Sequence, residues 1–174
     1  HTRWNIITYA APGNVLPTSL VTSDESNPSL FKFENVGTLG QYMSSPATGN
    51  VGTATLGNDA LAWYIKEADC SDSERKYYYI VHQSGKYLKF NQTIASPVTN
   101  MGDKADVLSL LDYDNSESDR YQFVFAKSTV DGAYYIVPKG LEEASKNNYY
   151  ALYLNGSQIK SNKNRQSDSY KWKL

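Results

Sequence analysis

The chain of 174 residues has little of what enzymes and metal proteins use. It holds a single cysteine, Cys70, which excludes an internal disulfide and a cysteine-cluster zinc site. It holds two histidines, His1 and His82, so a Ser-His-Asp or Cys-His site would have to use His82. That residue ends the run Tyr79-Ile80-Val81-His82 and enters Gln83-Ser84-Gly85. A solvent-facing turn residue is expected there. No apolar run approaches the length of a transmembrane helix. Charge of one sign is lacking too, with 17 basic against 18 acidic residues and a formal net charge of −1. A near-neutral chain is a poor nucleic-acid binder, because that binding depends on neutralising phosphates. No paired-carboxylate, P-loop, dinucleotide or zinc motif occurs. Glu142 and Glu143 are adjacent, so in a strand they would point to opposite faces. No catalytic residue, metal ligand or cofactor is predicted. The chain opens His1-Thr2-Arg3 without an apolar leader, as expected of a mature or excised fragment.

What the chain does have is tyrosine: 15, against 5 phenylalanines and 3 tryptophans. Tyrosine suits strands, and it pairs an apolar face with a polar tip. Together with abundant serine and asparagine it also suits a recognition surface. Hydrophobic residues make up 40%, enough for one domain with a sizeable core. Helical periodicity is weak; the best candidate, Gly140 to Asn148, is short and mostly polar. Short aromatic or β-branched runs bounded by Gly, Asn, Asp, Ser and Pro predict an all-β fold.

Those runs recur in one order. In the middle of the chain Tyr78-Tyr79-Ile80-Val81 reads as a strand, His82 to Lys86 as a turn, and Tyr87-Leu88-Lys89-Phe90-Asn91 as the return strand. Ala105 to Leu111 and Asp119 to Phe125 give a third and fourth strand. Earlier, Leu30 to Phe33, the turn Gly37 to Gly40, Gln41-Tyr42-Met43, Val51 to Leu56 and Asp59 to Trp63 repeat the order. At the end, Tyr134 to Val137, Ala151 to Asn155, Gln158-Ile159-Lys160 and Asp168 to Trp172 do so again. Each unit closes on Asp, any residue, an apolar residue, any residue, an aromatic, at 59–63, 119–123 and 168–172. That alternation predicts strands with Leu61 and Trp63, Tyr121 and Phe123, and Tyr170 and Trp172 inward. The leading Asp is expected to cap a tight turn through backbone N–H groups.

Three units of four strands are too short to be separate domains, and each would bury its apolar face against the other two. Closing them around a pseudo-threefold axis removes exposed edges. The predicted architecture is a β-trefoil over residues 28–174, with repeats at about 28–69, 75–127 and 132–174. Residues 1–27 form an extension expected to pack on the barrel: Trp4 to Tyr9 as a strand, Ala11 to Asn14 as a turn and Thr22 to Pro28 as a polar loop. Leu30 to Phe33 would alternatively close an irregular unit begun at Trp4.

In its strand order, its Gly85-Lys86-Tyr87-Leu88 turn and its closing aromatics, the chain resembles the ricin-B-like β-trefoil family of lectins and carbohydrate-binding modules. The resemblance covers about 28–174. The family closes its repeats on Gln, any residue, Trp; here Trp63 and Trp172 match, Phe123 replaces the Trp, and Leu61, Tyr121 and Tyr170 stand at the Gln. Its sugar-binding Asp follows the Leu of the second strand, where this chain has Ser44, Lys89 and Tyr153. None is acidic, so the usual galactose-type site is absent and any sugar site is a rebuilt one.

The middle repeat is where a rebuilt site is expected, from Lys89, Asn91, Asp112, Tyr113, Asp114 and Asn115. Tyr113 aligns with the family's stacking aromatic, and the others would hydrogen-bond hydroxyls. The plainer alternative is a solvated acidic loop over Asp112 to Asp119. Asn91-Gln92-Thr93 and Asn155-Gly156-Ser157 match the glycosylation acceptor pattern, although Asn also simply suits turns. A basic C-terminal stretch (Lys160, Lys163, Arg165, Lys171, Lys173) and an acidic one (Asp103 to Asp119) read first as solubility.

The resemblance implies a non-catalytic carbohydrate-binding module of a secreted or cell-surface protein, bacterial and cut from a larger chain. Its partner would be a glycan or glycoprotein, with no nucleic acid and no membrane span, and other domains of the parent chain as neighbours. The alternative is a protein-binding trefoil, a protease inhibitor or adhesion module, using the insertions Thr93 to Lys104 and Gly140 to Asn148.

Overall fold

The computed structural model describes residues 16–44, 51, 53–55, 62–69, 75–92, 107–142 and 149–174. Asp59, Leu61, Cys70, Glu143 and the segments 1–15, 93–106 and 143–148 lie outside them, and with them the expectations placed there. Within the described residues the protein is all-β. Its strands are β1 (Glu34–Asn35), β2 (Gln41–Met43), β3 (Thr53–Thr55), β4 (Trp63–Glu67), β5 (Tyr78–His82), β6 (Tyr87–Phe90), β7 (Leu108–Leu111), β8 (Gln122–Lys127), β9 (Ala133–Pro138), β10 (Tyr150–Asn155), β11 (Gln158–Lys163) and β12 (Trp172–Lys173).

The pairing is antiparallel and closes on itself. β1 pairs β12, β12 pairs β9, β9 pairs β8, β8 pairs β5 and β5 pairs β4. Phe31, just before β1, then bridges Trp63 of β4 through reciprocal backbone hydrogen bonds of 2.9 and 3.1 Å. The remaining strands form three hairpins: β2 with β3, β6 with β7, and β10 with β11. The ring leaves none of its six strands with an open edge, which is how an antiparallel sheet avoids pairing with another chain.

Inside the ring lies an aromatic core. Phe33, Trp63, Phe123, Phe125 and Trp172 are all 0–1% exposed. Phe33 stacks on Phe125 at 6.5 Å, and Tyr78 and Tyr134 meet Phe125 edge-on at 5.8 and 6.3 Å. The Trp63 indole N–H donates to the Met43 carbonyl at 3.4 Å, and the Trp172 N–H donates to the Leu152 carbonyl at 3.1 Å. Each bond spans the same 20 residues, so Met43 and Leu152 hold matching places beneath matching indoles.

The closing signature is built differently from the uninterrupted strand expected. Asp119 to Tyr121 end a 3-10 helix (Asn115–Tyr121), and Asp168–Tyr170 form another. The Asp backbone carbonyls accept the closing N–H groups of Gln122 and Lys171. Their carboxylates instead bind Lys139 at 2.8 Å and Lys171 at 2.9 Å. The strands therefore begin only after these turns, β8 at Gln122 and β12 at Trp172. Tyr121 is buried as expected, but in an outer cluster away from Phe123. Of the extension, Leu16 is buried in the core and Val21 bridges Ile65 of β4 in parallel.

Candidate functional site

Strands β4 and β5 are apolar on both faces. Trp63, Ile65, Tyr78 and Ile80 point into the ring, while Tyr64, Tyr79 and Val81 point outward. An outward apolar face needs a cover. The cover is aromatic: Tyr87 from β6, Tyr113 from the loop after β7, and Tyr121. Tyr113 is the hub, with ring centroids 5.4 Å from Tyr79, 5.0 Å from Tyr87 and 5.2 Å from Tyr121. Its hydroxyl lies 3.2 Å from that of Tyr79 and donates to Asn115 Oδ1 at 3.3 Å. The side chain stays half-buried, like that of Tyr87, so a rigid aromatic base carries two partly exposed rings.

Charged groups ring this base. Lys66 Nζ sits 5.6 Å over the Tyr79 ring and 5.3 Å over that of Tyr87, and it binds Glu25 at 3.2 Å. Glu25 also accepts from the Tyr64 hydroxyl at 3.2 Å. Burial, and then the Glu25 charge, push the Tyr64 hydroxyl up to about 12. Burial likewise raises Tyr121, against the pull of Lys89.

Of the six residues expected to form a site, Lys89, Asp112, Tyr113, Asp114 and Asn115 lie around this base with unequal freedom, whereas Asn91 stands beside Val107 at the other end of the β6–β7 ladder. Lys89 binds Glu117 at 2.6 Å and lies 5.7 Å over the Tyr121 ring. Asp114 caps the 3-10 helix, accepting from the Ser116 N–H at 2.9 Å and its hydroxyl at 2.7 Å. Those two bonds hold its carboxyl below the usual carboxylate range. The backbone N–H of Asn91 donates to the Val107 carbonyl at 2.7 Å. Asp112 meets Lys86 at 3.3 Å with its side chain 91% exposed. Tyr113, Asp112 and the exposed Asn115 thus face outward together, whereas Lys89 and Asp114 are engaged in holding the loop.

The position after Met43 and Leu152 has its own logic. Tyr153 stacks on Tyr170 at 4.7 Å and 19°, and Lys89 covers Tyr121, the residue matching Tyr170. In both repeats a tyrosine just before the closing strand needs a cover, and an aromatic ring or a lysine provides it. Sequence reasoning missed Lys66, Tyr79 and Tyr87. The available signal was the unbroken run Tyr78 to Val81, which lacks the alternation of a strand with one wet face.

His82 is half-buried rather than solvent-facing. Its ring meets Trp63 edge-on at 5.3 Å, and its Nδ1 lies 2.7 Å from the Ser84 hydroxyl and accepts from the Ser84 N–H at 3.1 Å. Among the described residues no three His, Cys, Asp or Glu side chains converge as a metal site. No helix there is long and apolar enough to cross a membrane.

No protein-family model matches the chain, and no curated protein does. Solved structures do. The chain is similar to a mosquitocidal holotoxin with a TM-score of 0.58 and 14% identity, over 84% of this chain and 17% of that one. It is also similar to a salivary protein from Culex quiquefasciatus that belongs to the Cysteine and Tryptophan-Rich (CWRC) family, with a TM-score of 0.57 and 11% identity, over 88% and 96%. The chain spans less than a fifth of the holotoxin and nearly all of the salivary protein, and at these identities the likeness is one of fold.

Proposed function

We propose that this chain is a β-trefoil of the ricin-B-like kind, acting as a non-catalytic carbohydrate-binding module of a secreted or cell-surface protein. The closed six-strand ring with three hairpins supports the trefoil reading, as do the two indole–carbonyl bonds of equal span.

The observation that carries carbohydrate binding is Tyr113. A sugar ring stacks its C–H face on an aromatic and hydrogen-bonds its hydroxyls to nearby side chains. Tyr113 offers a partly exposed ring that three other tyrosines hold in place, with Asp112 and Asn115 beside it. Lys89 and Asp114 complete the site by fixing the loop. His82 makes a poor general base, because its Nε2 is buried and its Nδ1 accepts from the Ser84 N–H.

Titration with mono- and oligosaccharides, comparing the wild type with Tyr113→Ala, tests the reading. Weak binding that is lost in Tyr113→Ala is expected, since a small ligand gains little once immobilisation is subtracted; avidity would come from other modules of the parent. Binding that survives Tyr113→Ala puts the site elsewhere. Absence of binding at millimolar sugar moves the protein-binding trefoil to first place.

A further inference from the structure

A concavity lies where the middle and last repeats meet. Its cavity measures about 400 Å³, at the small end of ligand pockets and on the scale of one or two sugar rings. Phe90 and Pro138, both buried, line its apolar part. Tyr77 forms an aromatic wall, with Lys139 Nζ 4.5 Å over its ring. Gln92, Arg120 and Glu142 add an amide, a guanidinium and a carboxylate. These groups come from the end of β6, the 3-10 helix before β8 and the end of β9, so neither repeat alone makes the cleft.

The polar groups are held in place before any ligand arrives. Lys139 Nζ donates to Asp119 at 2.8 Å and to Gln122 Oε1 at 3.2 Å. The carboxylate of Glu142, a residue only 5% exposed, accepts the Gly140 N–H at 2.6 Å. Arg120 lies 3.8 Å from Glu117. Cations and carboxylates are thus matched around the cleft, and a ligand with net charge would break that match. Planar amide and guanidinium groups each address two adjacent hydroxyls, while an aromatic wall suits a C–H face.

We propose that this cleft is a second saccharide site, distinct from Tyr113, that takes a neutral hexose unit between the middle and last repeats. The proposal rests on the reading of the chain as a carbohydrate-binding module.

Amide NMR titrations with lactose, N-acetylglucosamine and methyl α-mannoside test both ideas separately. With at least one sugar, saturable shifts at the Gln92 and Gly140 amides are expected. They should persist in Tyr113→Ala. They should need about tenfold more sugar in Arg120→Ala and in Gln92→Ala, the loss of roughly one good hydrogen-bond pair. Both substitutions are at partly exposed positions, and an unchanged Tm confirms that each variant is folded. Shifts confined to Tyr113 and Asn115 overturn the second site and leave the module reading standing. Shifts at Gln92 and Gly140 that neither substitution weakens also overturn it. No shift at either place with any of the three sugars overturns both.

Discussion

Trp63, Phe123 and Trp172 end the three closing signatures and are all buried, yet two of them donate a hydrogen bond that the third lacks. Trp172→Phe keeps most of the ring but strands the buried Leu152 carbonyl, at a cost of about 1–3 kcal/mol. Trp172→Ala also opens a cavity and should cost about 3–5 kcal/mol, although it lies two residues from the end of the chain. Trp63→Phe should cost less than Trp172→Phe, because its bond is 3.4 Å against 3.1 Å and weakens with length. Urea unfolding of the three variants checks the order; equal costs for the two Phe variants would show that the indole bonds contribute nothing. Tyr64 carries a second expectation: burial, and then Glu25, push its hydroxyl up to about 12. Glu25→Gln should bring it down towards 10, with burial holding back part of the return. Ultraviolet titration of tyrosinate in the two proteins measures the difference.

Hairpins and turns depend on backbone shape as well as side chains. In the β10–β11 hairpin Asn155 pairs with Gln158, and Gly156 has φ +67°. Gly156→Ala should cost about 1 kcal/mol, through left-handed strain alone. Gly37 is a different case. A Cβ there would lie 2.8 Å from the backbone nitrogen of Ser169. It would thereby push the turn between β1 and β2 away from the last closing turn. Asn35 ties the same two places, donating from Nδ2 to the Ser169 carbonyl at 2.9 Å while its Oδ1 accepts the Gly37 N–H at 3.0 Å. Gly37→Ala should therefore destabilise more than Gly156→Ala; thermal unfolding of both checks it, and the reverse order would mean that the contact relaxes freely.

At the scale of the whole molecule, stability depends on closing the ring. β12 is two residues long, yet it joins β1 to β9. Removing residues 170–174 should abolish cooperative unfolding rather than trim a terminus, because it opens two strand edges and empties the place of Trp172. Circular dichroism during thermal unfolding would show a broad, non-cooperative loss. Alkaline pH acts on the whole molecule as well. Burial raises Tyr77, Tyr78, Tyr121, Tyr134, Tyr135 and Tyr149, and Tyr64 to about 12. The unfolded chain then releases phenolic protons that the folded one keeps. Stability is fully present below pH 10, the ordinary tyrosine value, and falls as pH rises through 12. A Tm that stays flat across that interval would contradict the burial of these hydroxyls.

The sequence by itself determined the all-β class and the recurring strand order. Short runs such as Tyr87 to Phe90 and Tyr134 to Val137 have apolar residues at strand spacing and turn residues between them, and both properties are local. The same locality placed Trp63, Phe123 and Trp172 in the core. It also drew attention to the neighbourhood of Tyr113. What it could not decide was which groups in that neighbourhood stay free. Lys89 with Glu117 and Asp112 with Lys86 are pairs 28 and 26 residues apart, and no spacing rule connects them. The Asp119 turn escaped for a related reason: a 3-10 turn followed by a strand preserves the burial of Tyr121 while sending it to a different cluster from Phe123. Only the tertiary structure assembled the cleft between Tyr77, Arg120 and Glu142, because its walls come from two repeats brought together by the pairing of β8 with β9.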